Sequence, residues 1–394
     1  MTTTQYLLLC LAMSLLAVNG ASSQIAEGNE TQITMNASDQ DQLAIYGDWI
    51  VWTDYRNVTL EDIENTTFNN YFQLDTDIYA YNITTGKNLS LEYESMQNAP
   101  DIYGDRIVWE DYGNATLPPE NEDLTVEDWL QFNVDVYMHN LSTEETMQIT
   151  TNGSIQWSPA IYDDLVVWED ARNGNWDIYM YNLSSEEEIQ ITENKFAQLN
   201  PAVCNDTVVW EDNRNGNWDI YMYNVTSGEE IQITMNGSDQ LSPAISDGIV
   251  VWEDYRNFNM TEDNANLTLQ DIAQVNADIY MYNITTAEEF NVTDNNSWQG
   301  EPAVHGDRIV WTDLRDKDQV VEDPDNTRQD SIVFDADIYM YNVTSGEEWQ
   351  VTANESWQNQ PDIHDGMIIW TDYRNGNLDI YMYGLSSIIQ NTKA

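Results

Sequence analysis

One unit recurs seven times along this chain, and that repetition restricts its possible folds more than any other property of the sequence. Residues 160–192 read AIYDDLVVWEDARNGNWDIYMYNLSSEEEIQIT, and residues 202–234 read AVCNDTVVWEDNRNGNWDIYMYNVTSGEEIQIT. A W-[TE]-D triplet recurs at Trp52, Trp109, Trp168, Trp210, Trp252, Trp311 and Trp370. These tryptophans are spaced 57, 59, 42, 42, 59 and 59 residues apart, so the unit is 42 residues long and four copies carry an insertion. A D-[IV]-Y triplet keeps step with it, beginning at Asp77, Asp135, Asp177, Asp219, Asp278, Asp337 and Asp379. Such a period marks an architecture in which each unit buries its faces against its neighbours.

Each unit resolves into four short β segments: a stretch such as Pro201–Val203, an apolar run such as Val208–Trp210, then D-I-Y-M-Y-N, then E-x-I-Q-I-T. Asn-Gly at 173–174, 215–216 and 375–376 signals a hairpin between the second and third segments. Four strands per unit, no helical periodicity and runs apolar on both faces describe propeller blades. The expected fold is therefore all-β, a seven-bladed β-propeller of four-stranded blades. Thr31-Gln32-Ile33-Thr34 matches a fourth strand yet precedes the first unit, so an N-terminal strand is expected to close the ring, with Ile388-Ile389-Gln390 as a weaker competitor. One domain then spans residues 29–392.

The string P-A-I-x-D-G-x-V-V-W-E-D-x-R-N-G-N-x-D-I-Y-M-Y-N…I-T resembles the TolB-type (PD40) propeller repeat over nearly the whole chain. Its wording is most similar to that of secreted cell-surface propellers of methanogenic archaea. The resemblance implies a fold and an extracellular setting but no reaction, because this fold serves partner-binding proteins, peptidase accessory domains and polysaccharide lyases alike.

Export is also read from residues 1–23. Tyr6–Val18 is an apolar run of signal-peptide length followed by small residues, although Met1–Gln5 carry no positive charge. Cys10 would leave with this segment, and Cys204 would stay as a lone thiol. With 69 acidic against 13 basic side chains, the net charge is −56. Nucleic acid is excluded as a partner, since phosphates need clustered cations. Direct membrane insertion after signal cleavage is not expected either. About twenty N-x-[ST] sequons occur. Those at Asn82, Asn182, Asn224, Asn283 and Asn342 fall at the turn after the third segment and are the glycosylation candidates, against the alternative that Asn and Ser or Thr simply favour turns.

Six of the thirteen basic residues, Arg56, Arg172, Arg214, Arg256, Arg315 and Arg374, stand two positions after the Asp of W-x-D. The expectation is architectural: each Arg bonds that Asp and the Asp of D-I-Y. The second unit has Gly113 instead, which leaves Asp111 the least compensated. Asp101 and Asp362 replace the usual Ala on the innermost strand, on either side of the first blade, where two carboxylates could hold a cation. The insertions, at about 58–76, 113–134, 258–277 and 316–336, share one rim and are acidic. Asp316, Asp318, Asp323 and Asp325 are its candidate metal ligands, and Ca²⁺ is the cofactor such hard oxygens suit, though none has a recognised calcium-loop spacing. His305 and His364 fall at equivalent turns, with no converging partner indicated.

The chain is accordingly expected to be no enzyme. It reads as a secreted cell-surface scaffold meeting an envelope protein or polysaccharide through the acidic rim. The alternative is a secreted carbohydrate-active enzyme, a lyase or hydrolase, using the channel carboxylates.

Overall fold

The apolar run of each unit becomes a strand buried on both faces. In Leu165–Asp170, the consecutive Val166, Val167 and Trp168 all have 0% exposure. Successive side chains of a strand point to opposite faces, so such a run needs a sheet on either side of it. In this computed structural model, which describes residues 30–58, 74–115, 132–258, 275–315, 320–321, 331–332 and 335–385, neighbouring blades supply those sheets.

Each blade is a four-stranded antiparallel sheet, in chain order in blades 1 to 6. Blade 3 runs from its inner strand Gln156–Tyr162 through Leu165–Asp170 and Asp177–Asn182 to its outer strand Glu187–Gln190. Seven such sheets make a seven-bladed β-propeller. Cores form between blades: Val167, Ile178 and Met180 of blade 3 meet Val208, Trp210 and Tyr221 of blade 4. Within a blade, the second-strand Trp stacks on the Tyr of D-I-Y, as in Trp168 and Tyr179 with ring centroids 6.2 Å apart.

Glu30–Gln32 closes the ring as the outer strand of blade 7, with Thr31 opposite Met382. It reproduces the side-chain pattern of an ordinary outer strand. Ile380 N–H donates to Thr34 Oγ1 at 2.8 Å and Gln32 Nε2 to Asp379 at 3.0 Å. Ile178 N–H does the same with Thr192, and Gln190 with Asp177. Ile388-Ile389-Gln390 and residues 1–29 lie outside the described residues.

Two local expectations change. The inner strand begins at the recurring Gln, not at the Pro, and carries a bulge before it. The bulge residues Gln42, Ala99, Ser158, Asn200, Ser242, Glu301 and Gln360 all have φ between 49° and 54°. The Asn-Gly sites lie in six-residue connections (171–176, 213–218, 373–378), whereas the tight turns join inner to second strands, as at Asp365 and Gly366, both with positive φ. Inserted connections (55–76, 112–134, 255–277, 314–336) replace the six-residue ones in blades 1, 2, 5 and 6, all on one face.

Candidate functional site

The repeated Asp and Arg residues are absorbed by architecture. Asp170 has a side chain with 0% exposure; its carboxylate accepts the Trp168 indole N–H at 3.0 Å, the Arg172 backbone N–H at 2.9 Å and the Arg172 guanidinium at 2.5 Å. The guanidinium lies over the Tyr179 ring, 4.1 Å from its centroid, and reaches Glu188 on the outer strand. This corrects the expected pairing: Arg172 does not bond the Asp of D-I-Y. Asn173 and Asn175 do, each donating to Asp177 at 3.0 Å. A single planar fork spans only one carboxylate bidentately, and its third nitrogen faces the outer strand.

Blade 2 departs from this pattern as the sequence indicated. Asp111 has no ion pair among the described residues and accepts Gly113 N–H at 2.8 Å, with Ser95 and Gln97 at 3.4 Å. Burial pushes its pKa up. Tyr93 stacks beside Trp109 at 6.3 Å, and its hydroxyl bonds Thr146, the residue at the outer-strand position that Glu188 fills in blade 3. A Cβ on Gly113 would stand 2.8 Å from Asp111 Oδ1, so the glycine is fitted to the close-lying carboxylate.

A ring of acceptors at the inner strands went unnoticed in the sequence. Glu110, Glu169, Glu211 and Glu253, the middle residues of W-E-D, accept the backbone N–H of Ser158, Asn200, Ser242 and Glu301 in the following blade at 2.6–2.8 Å. Blades 6, 7 and 1 have Thr at that position, and the acceptor shifts to the bulge residue. Glu301 accepts Gln360 N–H at 2.8 Å, Gln360 accepts Gln42 N–H at 3.1 Å, and Gln42 accepts Ala99 N–H at 2.9 Å. Thr312 and Thr53 bond the side chains of Glu301 and Gln42. Seven bonds thus run round the ring without a gap. Desolvation raises the carboxyl pKa values, to about 7 for Glu110, about 8 for Glu169 and about 7 for Glu211. The legible signal was the exchange itself: each blade with Thr in W-T-D carries Gln or Glu at its bulge, and each blade with Glu does not.

Asp101 and Asp362 lie on the same inner strands, half-buried. Asp101 accepts Ile161 N–H of blade 3 at 2.7 Å and Ile102 N–H at 2.8 Å. Asp362 accepts Ile45 N–H of blade 1 at 2.9 Å and Ile363 N–H at 2.7 Å. Burial raises their pKa values to about 7 and about 6, and the charge of Asp362 adds to the rise at Asp101. Both therefore bridge blades as well as carrying charge. Asp316, Asp318, Asp323 and Asp325 lie outside the described residues, as does most of the insertion rim.

At the opposite end of the inner strands, ring side chains tile from blade to blade. Tyr46, Tyr103 and Tyr162 stand 4.5 Å apart in succession, and Tyr46, His364 and His305 continue the series at 4.4 Å. The two histidines therefore converge, with Asp365 beside them, where the sequence indicated no partner. Cys204 is buried in the same tier, its pKa raised by desolvation. Among the sequons, Asn82 is 7% exposed, which leaves a glycan no room. Asn182, Asn224, Asn283 and Asn342 are half-buried, and their Oδ1 atoms accept backbone N–H groups of their turns. The sequons Asn36, Asn152, Asn236 and Asn295 belong to a turn motif in which Oδ1 accepts from the Ser two residues on and the Gln four residues on.

No family model matches the chain, and no curated protein matches it. Solved structures do. The β-propeller domain of the Trilobed protease from Pyrococcus furiosus, described as having an open velcro topology, matches with a TM-score of 0.58 and 12% identity over 89% of this chain and 94% of its own. Oligogalacturonate lyase from Vibrio parahaemolyticus matches with 0.57 and 13% over 91% and 94%. Pyrococcus horikoshii acylaminoacyl peptidase matches with 0.58 and 11% over 91% of this chain and 54% of its own. TolB structures match more loosely, with TM-scores of 0.43 and 0.45. The first three likenesses establish the propeller fold. They also correct the expectation that the chain is no enzyme: a lyase and a peptidase carry this fold, so the lack of a familiar catalytic motif excludes no activity.

Proposed function

We propose that the chain is an exported cell-surface propeller that binds an envelope protein or polysaccharide through the rim bearing its four insertions. The observation that carries this reading is the asymmetry of the connections. All four long ones join second to third strands on one face, while their three counterparts have six residues. Long loops held by a rigid scaffold are where recognition is built. The repeated motif residues are meanwhile occupied in holding the blades. Acidic side chains in the insertions suit bridging by a divalent cation such as Ca²⁺. Export through residues 1–23 and glycans on the opposite face belong to the same reading. Binding of the purified chain to isolated envelopes, with and without chelator, tests it. The expected result is retention that disappears when the four insertions are shortened to the six-residue connection of blade 3; retention unchanged by that shortening defeats the proposal.

A second reading is favoured by Asp101 and Asp362. Their raised pKa values, and the electrostatic influence of Asp362 on Asp101, suit a carboxyl and a carboxylate sharing acid–base work on a polysaccharide. The oligogalacturonate lyase shows that the fold accommodates polysaccharide chemistry. Turnover of envelope polysaccharide abolished in Asp101→Asn with Asp362→Asn supports this reading, and no turnover by the unaltered chain removes it.

A further inference from the structure

His305 and His364 end the inner strands of blades 6 and 7 on the face opposite the insertions. The equivalent positions elsewhere are Tyr46, Tyr103, Tyr162, Cys204 and Ser246, so only these two adjacent blades place imidazoles there. The imidazole centroids are 4.4 Å apart. Asp365, in the turn after His364, presents its carboxylate to both rings, with Oδ1 4.0 Å from His305 Nε2 and Oδ2 3.7 Å from His364 Nε2. One donor atom from each of the three residues falls within a 4.8 Å span.

Those separations are informative. Hydrogen bonds would close to about 2.7–3.2 Å, as the carboxylates of the acceptor ring do. Ligand atoms on a tetrahedral ion, each about 2.0–2.2 Å from the metal, stand about 3.4 Å from one another. The carboxylate oxygens are thus too far from the imidazole nitrogens to bond directly and close to the spacing that an ion between them would set. The remaining adjustment falls to Asp365, whose side chain is 75% exposed and free to rotate. We propose that His305, His364 and Asp365 form a binding site for a divalent transition ion of the Zn²⁺ class, with three protein ligands and a fourth position open to solvent at the channel mouth.

The donor set fits that class: two imidazoles and one carboxylate suit borderline ions better than Ca²⁺, which takes six to eight oxygens. His305 Nδ1 accepts Asp365 N–H at 3.3 Å. Its Nε2 therefore carries the proton in the empty site; loading moves that proton to Nδ1 and gives up this long bond. The ion would also tie blade 6 to blade 7, the blade that the N-terminal strand completes.

Calorimetric titration of the full chain with ZnCl₂, in excess Ca²⁺ to occupy the general acidic surface, tests the proposal. His305→Tyr and His364→Tyr are suitable variants, because blades 1–3 show that tyrosine tiles at these positions. The expected result is one Zn²⁺ per chain, with affinity lowered about tenfold or more by either substitution and less by Asp365→Asn, while the metal-free melting temperatures stay level. Absence of a saturable one-to-one site, or tyrosine variants that bind Zn²⁺ as the unaltered chain does, overturns it.

Discussion

The carboxyl of Glu169 in blade 3 accepts the backbone N–H of Asn200 in blade 4 at 2.7 Å, and Asn200 has φ of 50°. A side chain from one blade thereby satisfies a backbone group that the bulge of the next withdraws from its own sheet. Six equivalent bonds complete the circle, so blades are joined at the axis by polar bonds as well as by the apolar layers between them.

The acid–base consequence has a definite sign. Burial lifts the pKa of Glu169 to about 8 from an ordinary 4.5, so the folded state holds a proton that the unfolded chain releases. Its contribution to stability is complete below pH 4.5 and is lost as pH rises through about 8, at about 1.4 kcal/mol for each unit of pKa difference. Glu169→Gln keeps the acceptor and removes the charge, as Gln42 and Gln360 already do in blades 1 and 7. Calorimetry should show this variant melting above the unaltered chain at pH 8.5, by on the order of 2 °C or more, and level with it at pH 4.5.

Asp111 and Asp170 occupy equivalent positions in different surroundings, so one substitution should have opposite effects. Asp170→Asn weakens the hold on a guanidinium and leaves Arg172 without its bidentate partner, at a cost of about 3 kcal/mol. Asp111 faces no cation among the described residues and is held above its ordinary pKa. Its penalty grows as pH rises, so Asp111→Asn should leave stability at pH 7.5 equal or higher. Urea unfolding of the two variants side by side checks the contrast.

The blade count, the closing strand and the shared face of the insertions were legible because each depends on a period or on order along the chain. The acceptor ring was not read, because Glu110 and Ser158 look unrelated until two different strands of neighbouring blades meet. Convergence of His305 with His364 was equally hidden: their matching places in adjacent units were visible, but the 4.4 Å between them depends on the width of a blade at the axis. The Asp–Arg framework was read correctly for one carboxylate and wrongly for the other, since sequence spacing does not say which way a guanidinium fork points.

The sequons should separate by exposure. If the chain is expressed in a host that modifies N-x-[ST], mass spectrometry of glycopeptides should find Asn82 unmodified, because it is 7% exposed and its Oδ1 is held by Thr85. Occupancy, where it occurs, should fall on the less enclosed Asn182, Asn224, Asn283 and Asn342.

Thr34→Val should loosen the seventh blade selectively. It removes the acceptor for Ile380 N–H and the contact with Asp379, a loss of about 1–3 kcal/mol for a buried donor left unpaired. Hydrogen exchange should quicken across Asp379–Gly384, while the matching strand of blade 4, Asp219–Asn224, keeps its protection.

Pairing of Thr34 with Asp379 spans 345 residues. During synthesis, the strand Glu30–Gln32 has no partner until Asp379–Gly384 has been made. Blades 1 to 6 can form as they appear, but the ring cannot latch before then. The closing strand thus acts as a length check: a chain cut short in translation retains six blades and an unpaired edge, and only a chain made through residue 384 can complete the circle.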